Sequence, residues 1–441
     1  MSTDAASSRW ACTSRAAASG ARCRITSRSS RSSRCSGVRG SSTPRAGHEL
    51  RLLQGSGELF AALAVAIDGA MREVRLETYI FDFTGAGSDV ACALERAARR
   101  GVSVTVLTDG YGTGPLPPAW RERLPGSGVQ WRVYAPMGRL GVLWPGNWRR
   151  LHRKLCVIDG ELAFCGGINI LDDFHDPHHG TLESPRFDFA VQVRGPLVAQ
   201  AQAAMAQLWL RQQAMRDIRK ARFAGAVESL RASGAARAPD QPRSRDAQPL
   251  ARAALLLRDN LRNRARIERA YRRAIGGARD EIIIANAYFV PGRRMRQALV
   301  SAAGRGVKVR LLLQGRYEYF MQYYAARPVY GALLRAGVEI HEYSRSFLHA
   351  KVAVIDGRWA TVGSSNLDPL SLLLAREANV VVEDSAFAEQ LRGRLVEAMQ
   401  RAGSMVSADE YRNRPWHQRV KERLALALMR LALMFQGQKY L

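Results

Sequence analysis

Two decapeptides in this chain carry the same reactive side chains at the same spacing. LHRKLCVIDG begins at Leu151 and LHAKVAVIDG at Leu348, identical at seven of ten positions and 197 residues apart. Each spells His-x-Lys-x-x-x-x-Asp: His152, Lys154 and Asp159, then His349, Lys351 and Asp356. Imidazole can attack an electrophile or move a proton near neutral pH, and an ammonium two residues on offers charge to an anion. On an extended strand alternate residues share a face, so His and Lys of each copy should point the same way. A glycine turn and a further strand follow each motif, ending in small residues plus an amide: Gly166, Gly167 and Asn169, then Gly363, Ser364 and Asn366. Small residues admit close backbone approach to a ligand, and their amides can donate to an anion.

Packed face to face, two such copies would bring two His, two Lys and two Asn to one spot. That set suits a phosphodiester. Lysines and amides would hold the non-bridging oxygens, while one imidazole attacks phosphorus to give a phosphohistidine. The other would protonate the leaving alkoxide and later deprotonate the acceptor. One histidine cannot hold both roles at once, which gives the duplication a chemical reason. Asp188 in RFDFAVQV and Glu377 in REANVVV lie at equivalent places after the motifs, as acids that can orient an imidazole through its Nδ1–H. Asp159 and Asp356, counted with the motif's catalytic set, each precede a Gly in a strand–turn–strand; their expected part is to fix that turn or pair with a buried base.

The elements that must position these groups repeat as well. AIDGAMREVRLETYIF at Ala66 matches AIGGARDEIIIANAYF at Ala274, and ALERAARRGVSVTVL at Ala93 matches ALVSAAGRGVKVRLL at Ala298. Strand-like runs at 74–81, 102–107, 282–289 and 307–313, with strands opening again at Val129 and Val338, alternate with Ala/Arg-rich helices closed by Gly101 and Gly306. This predicts an α/β layer structure of two related lobes. The expected organisation is a disordered Ser/Arg-rich tail over 1–45, a lobe over 46–220, a flexible linker over 221–255, a second lobe over 256–405, and a basic apolar helix over 406–441.

The 441 residues carry a net charge of +27. The first 45 hold nine Arg against one acid, Asp4, but the remainder is basic too. Such a surface favours nucleic acid or an anionic membrane. Six scattered cysteines without a C-x-x-C pair read as reduced thiols. No apolar run is long enough for a transmembrane helix.

At this point the residues resemble the phospholipase D superfamily, through the paired His-x-Lys-x-x-x-x-Asp motifs with GGIN and GSSN. LETYIF at Leu76, ANAYFVPG at Ala285 and VGSSNLDPLSLLLAREANV at Val362 resemble more narrowly the bacterial cardiolipin synthase branch lacking an N-terminal membrane hairpin. The resemblance runs from about residue 50 onward. It implies two α-β-α sandwich lobes packed as a pseudo-dimer, with catalysis within one chain. It further implies cofactor- and metal-independent transfer of a phosphatidyl group from phosphatidylglycerol to an alcohol, on the cytoplasmic face of a bacterial inner membrane. Carried over by motif position, His152 is the nucleophile and His349 the general acid/base, with Gly166, Ser364, Asn169 and Asn366 supporting the phosphate. The acceptor, whether a second phospholipid, glycerol or water, stays open.

Other features admit alternatives. HDPHHG at His175 reads as a polar loop near the cleft mouth in preference to a zinc site, since the ligand spacing is wrong. Trp144, Trp148, Arg149 and Arg150 could meet lipid or simply anchor a loop. RVKERLALALMRLALMF from Arg419 is either a docked helix or an interfacial anchor, and its basic surroundings favour the membrane surface. A nuclease is the competing reading; it should interleave aromatic residues with a basic patch, and only YEYFMQYY at Tyr317 hints at that.

Overall fold

The structure, a computed structural model, describes residues 44–136, 149–177, 179–236, 251–259, 263, 265–317, 320–368 and 375–434. Trp144, Trp148 and residues 1–43 of the expected tail lie outside them. The first lobe contributes β1 (Arg45–Gln54), β2 (Glu73–Thr78), β3 (Ser103–Asp109), β4 (Gln130–Tyr134), β5 (Arg150–Leu151), β6 (Lys154–Ile158), β7 (Leu162–Gly166), β8 (His175–Asp176), β9 (Gly180–Thr181) and β10 (Phe189–Arg194). The second contributes β11 (Ala251–Arg258), β12 (Glu281–Asn286), β13 (Lys308–Gln314), β14 (Glu339–Tyr343), β15 (Lys351–Ile355), β16 (Trp359–Gly363), β17 (Ala375–Glu383) and β18 (Gly403–Met405).

The strand order is β18-β14-β13-β12-β15-β16-β17-β11-β1-β10-β7-β6-β2-β3-β4. Leaving β18 aside, it reads the same from both ends once each strand is replaced by its counterpart in the other lobe. The seam is β1 against β11, antiparallel, with His48 opposite Ala251. That pairing makes one continuous sheet of the duplicated halves, and both lobes belong to one compact unit.

Alternation along the strands builds the layers. In β6, Leu155 and Val157 enter a core shared by both lobes, whereas Cys156 and Ile158 enter a core under helices Gly55–Asp68 and Ala86–Arg99. In β15, Val352 and Val354 join the same shared core, and Ala353 and Ile355 face the second lobe's own helices. Every residue of both strands is buried. The shared core also takes up helix Leu197–Arg219 from one lobe and helix Ser385–Ala402 from the other. Asp384 caps the latter by accepting the Phe387 N–H.

Three expected boundaries change. The interval 221–255 is not simply a linker: Phe223–Ala235 is a helix packed back on Leu197–Arg219, and Ala251 already belongs to β11. Ala/Arg/Ser composition suits a solvated helix as well as a loop, so composition alone misreads it. Likewise β1 starts at Arg45, inside the expected tail. The C-terminal region is two helices, Ala408–Asn413 and Trp416–Met434, broken at Pro415, which cannot continue the first.

Candidate active site

Neither motif is one unbroken strand. β5 ends at Leu151 and β6 begins at Lys154, leaving His152 and Arg153 between them. The gap has a partner across the lobes: the His152 N–H donates to Arg376 O at 3.1 Å, and the His349 N–H to Phe187 O at 2.9 Å. Each histidine is therefore tethered through its backbone to the lobe it does not belong to. Simple strand alternation does not describe how His and Lys are set. Lys154 Nζ instead reaches back to the His152 carbonyl at 2.8 Å, and Lys351 Nζ to that of His349.

The orienting acids are also exchanged. His152 Nδ1 lies 3.0 Å from Glu377 Oε1 of the second lobe, and His349 Nδ1 lies 2.6 Å from Asp188 Oδ2 of the first. A carboxylate at Nδ1 keeps the proton there and leaves Nε2 as the reactive nitrogen. Neither acid serves the motif it follows in sequence.

Electrostatics ties the two halves into one centre. Burial drives the His152 imidazole toward its neutral form; Glu377 opposes this, while Lys154 and Lys351 reinforce it. His349 is pushed well below the usual range by burial, then by Lys351, Lys154, Arg186 and His152. Burial and Lys351 bring Lys154 down to about 7, against Glu377. Burial would raise Glu377, but His152, Lys154 and the Ser364 hydroxyl outweigh it and hold the carboxyl below its ordinary value. Asp188, opposed by Lys351, is still pushed up to about 7 by burial. One acid is thus firmly ionised, and the other shares its site with a proton near neutral pH.

Several assigned supports take other parts. Gly166 is inside the sheet, opposite Lys154 and Ala190, so its amide is spent on the ladder; a side chain there would strike Ala190. Gly167 makes room for the Asp188 carboxylate. Ser364 donates to Glu377 Oε2 at 2.5 Å and accepts from Ala378 N at 3.1 Å, so it positions the acid and does not face a phosphate. Asn169 does face the cavity. Its Oδ1 accepts the Ile80 N–H at 3.1 Å, and it lines a space of about 80 Å³ together with His349, Asp188, Asp176 and Arg186. Asn366 is buried beside Leu367, whose N–H is held by Asn286 Oδ1.

Asp159 and Asp356 are corrected out of the catalytic set. They stand at the far ends of β6 and β15, seven residues from their histidines, or roughly 23 Å at 3.3 Å per residue. Asp159 accepts from the N–H groups of Met71, Arg72 and Glu73; Asp356 accepts from those of Arg279, Asp280 and Glu281. Burial opposes their ionisation, but the three amides prevail and lower both pKa values. This stabilisation is present at neutral pH and is lost as pH falls through the depressed values. Asp159→Ala should lower unfolding free energy by about 2 kcal/mol while leaving turnover of a monomeric substrate within about twofold. Denaturant melts beside kcat measure both, and a catalytic collapse with unchanged stability would return Asp159 to the active centre.

Sequence reasoning missed three neighbours. The Tyr79 ring lies 4.9 Å from that of His152 and 5.4 Å from Lys154 Nζ. Arg186, half of whose bonds go to the HDPHHG loop (Asp176 at 2.9 Å), stands in the His349 cavity and also walls a space of about 630 Å³ between the lobes. Asp109 holds the Leu151 N–H at 2.8 Å and Arg150 at 3.1 Å, fixing the approach to His152. Arg186 opens the RFDF stretch that holds Asp188; the other two carry no repeat signal. In the loop, His175–Asp176 pairs with Gly180–Thr181, and Asp176 and Pro177 reach the His349 cavity.

The family described as "Cardiolipin synthase, PLD-like domain" matches residues 63–179 and 271–398, one segment in each lobe. Cardiolipin synthase B of Salmonella typhi is 37% identical over 394 residues, 88% of this chain and 89% of that protein. The Escherichia coli (strain K12) protein of the same name is 37% identical over 396 residues, with the same shares. Among solved structures, the phosphatidylserine synthase of Haemophilus influenzae Rd KW20 superposes with a TM-score of 0.64 at 12% identity, over 90% of this chain and 97% of that one, a likeness of fold. With a matched segment around each histidine motif and close relatives along nearly its whole length, the chain belongs to the phospholipase D-like cardiolipin synthase family.

Proposed function

We propose that this phosphatidyltransferase moves a phosphatidyl group from phosphatidylglycerol to the hydroxyl of a second phosphatidylglycerol, through phosphohistidine at His152. The observation that carries this is the crossed pair of imidazole–carboxylate contacts, which ties each histidine to an acid of the other lobe, with His349 feeling the charges of Lys351, Lys154 and His152. His152, backed by the ionised Glu377, attacks phosphorus at Nε2 while the P–O bond to the glycerol headgroup breaks. His349 gives that oxygen its proton, so glycerol leaves neutral. Its own pKa is held down by burial and then by three cations, and an arriving phosphodiester anion offsets the cations, raising the pKa as substrate binds. In the second half, His349 takes the proton of the acceptor hydroxyl, whose oxygen attacks phosphorus and releases His152. Lys154, Lys351 and Asn169 hold the non-bridging oxygens.

A phospholipid substrate calls for work at a bilayer surface, and helix Trp416–Met434 supports peripheral attachment there. No helix among the described residues is long and apolar enough to span a membrane. Helix Trp416–Met434 docks by Ala425 and Met429 against Val290 and Ala325, yet leaves Trp416, Val420, Leu424, Leu428 and Leu431 exposed, Trp416 by 76%. Arg419, Lys421 and Arg423 flank that stripe, the composition of an interfacial anchor on anionic lipid.

Purified protein given acyl-labelled phosphatidylglycerol should yield labelled cardiolipin and release free glycerol in equal amount. Phosphatidic acid as the sole product would make water the acceptor; cleavage of DNA with neither lipid product would replace a lipid substrate by a nucleic acid.

A further inference from the structure

The helical hairpin formed by Leu197–Arg219 and by Phe223–Ala235, the helix found in the expected linker, carries an exposed apolar tip at the catalytic end of the sheet. Helix Leu197–Arg219 starts beyond the far end of β10 and climbs toward the histidines. Gln202 touches Glu73 at the start of β2, Ala204 receives Arg153, and Leu208 packs with Leu107, Tyr134 and Leu151, the residue before His152. At 1.5 Å per residue, the eleven residues after Leu208 carry the helix roughly 16 Å past that level. The chain then reverses. The Arg222 N–H bonds to Asp217 O at 2.8 Å and the Arg222 guanidinium pairs with Asp217 at 2.9 Å, which fixes the turn. Helix Phe223–Ala235 descends, tied by Ser233 to Gln207 O at 3.2 Å and by Gln207 to Ala236 O at 2.6 Å.

Its polarity is inverted. The small Ala226 and Ser233 are turned inward, and the large Phe223, Val227 and Leu230, at i, i+4 and i+7, are turned outward, Phe223 exposed by 65%. Met215 and Ile218 of the first helix are exposed as well. Arg216, Arg219, Lys220 and Arg231 are exposed around them. An apolar knob ringed by cations matches an anionic bilayer, whose headgroups pair with the cations while the acyl region takes the knob.

We infer that the tip of this helical hairpin inserts into the headgroup layer of an anionic membrane. It would form a second contact beside helix Trp416–Met434, which meets Val290 just past the catalytic end of β12. The choice of a bilayer as occupant rests on the phospholipid reading above. Two contacts at the catalytic end would hold the cleft against the surface from which substrate must come.

The test compares the full chain with its Phe223→Ser/Val227→Ser/Leu230→Ser variant and with Arg216→Gln/Arg219→Gln/Lys220→Gln, in co-sedimentation with phosphatidylcholine vesicles with and without phosphatidylserine. The serine variant should bind anionic vesicles at least about tenfold more weakly, and the glutamine variant should lose its preference for them. Both should keep turnover of monomeric short-chain phosphatidylglycerol within about twofold. Vesicle affinity within twofold of the parent would overturn the inference. So would a change from dimer to monomer in light scattering, which would assign the face to a second copy, or a lowered melting temperature with vesicle binding intact, which would assign it to another segment of this chain. Loss of monomeric turnover in the parent itself would instead strike the lipid reading.

Discussion

His152→Ala should abolish the phosphoenzyme and cut turnover by about 10⁴- to 10⁶-fold, the range seen when a nucleophile that acts in concert with a base is removed. His349→Ala should cut it comparably with phosphatidylglycerol and yet leave the phosphoenzyme able to form. The difference lies in where each proton is needed. Attack by His152 needs only its neutral Nε2, which burial and two lysines already secure. Departure of glycerol as an alkoxide needs the proton that His349 supplies, so an alkyl headgroup stalls in its absence. From a phosphatidyl ester of p-nitrophenol, nitrophenolate leaves as a stable anion when the P–O bond breaks and needs no such help. With that ester, His349→Ala should release one equivalent of nitrophenol in a burst and then stop, because no base remains to activate the acceptor. Acyl label should stay on the protein, stable to base and released by acid as a phosphoramidate. His152→Ala should show neither burst nor label. A labelled protein from His152→Ala would transfer the nucleophile's role to His349 and invert the assignment.

Much of this centre was readable before any fold was known, and what was not has a common cause. The duplication gave the two histidines, the two lysines, and strands that match β2, β3, β12 and β13 to within two residues or so at most ends. Periodic apolar runs report local structure, and these strands are buried on both faces. By contrast, β1 was not read as a strand, although all but Arg45 fell within the expected first lobe, and most of β11 was absorbed into the linker. Both are held by distant strands, β1 by β10 over six residue pairs and β11 by β17 over seven, with two pairs joining β1 to β11, and that pairing leaves little local signal. Asp188 and Glu377 were found as acids but could not be matched to partners, because which lobe an acid faces is a property of packing. The same holds for Gly166 and Ser364. A small residue beside a motif fits a ligand contact and a tight protein contact equally well, and here Ala190 and Glu377 occupy the space.

The crossed acids make the lobes chemically interdependent, and that can be measured. Glu377→Gln should slow turnover by about 10²- to 10⁴-fold, the scale set by replacing a histidine's orienting carboxylate with an amide. Ser364 donates its hydroxyl to this carboxylate, so an amide in its place must turn its oxygen to Ser364 or to His152, and one of the two contacts is lost. If the NH₂ group faces His152, Nδ1 becomes the acceptor, the proton moves to Nε2, and the attacking lone pair disappears. The loss should therefore fall on formation of the phosphoenzyme, visible in the burst rate with the nitrophenyl ester. Asp188→Asn disturbs His349 instead, and should spare that burst while slowing transfer to the acceptor by a similar factor, so that phosphoenzyme accumulates. Each variant would then injure the step run by the histidine of the opposite lobe, although each acid follows the other motif in sequence. If Glu377→Gln left the burst intact and Asp188→Asn removed it, the contacts seen at Nδ1 would not be the ones that govern the chemistry, and the division of labour between the imidazoles would have to be reversed.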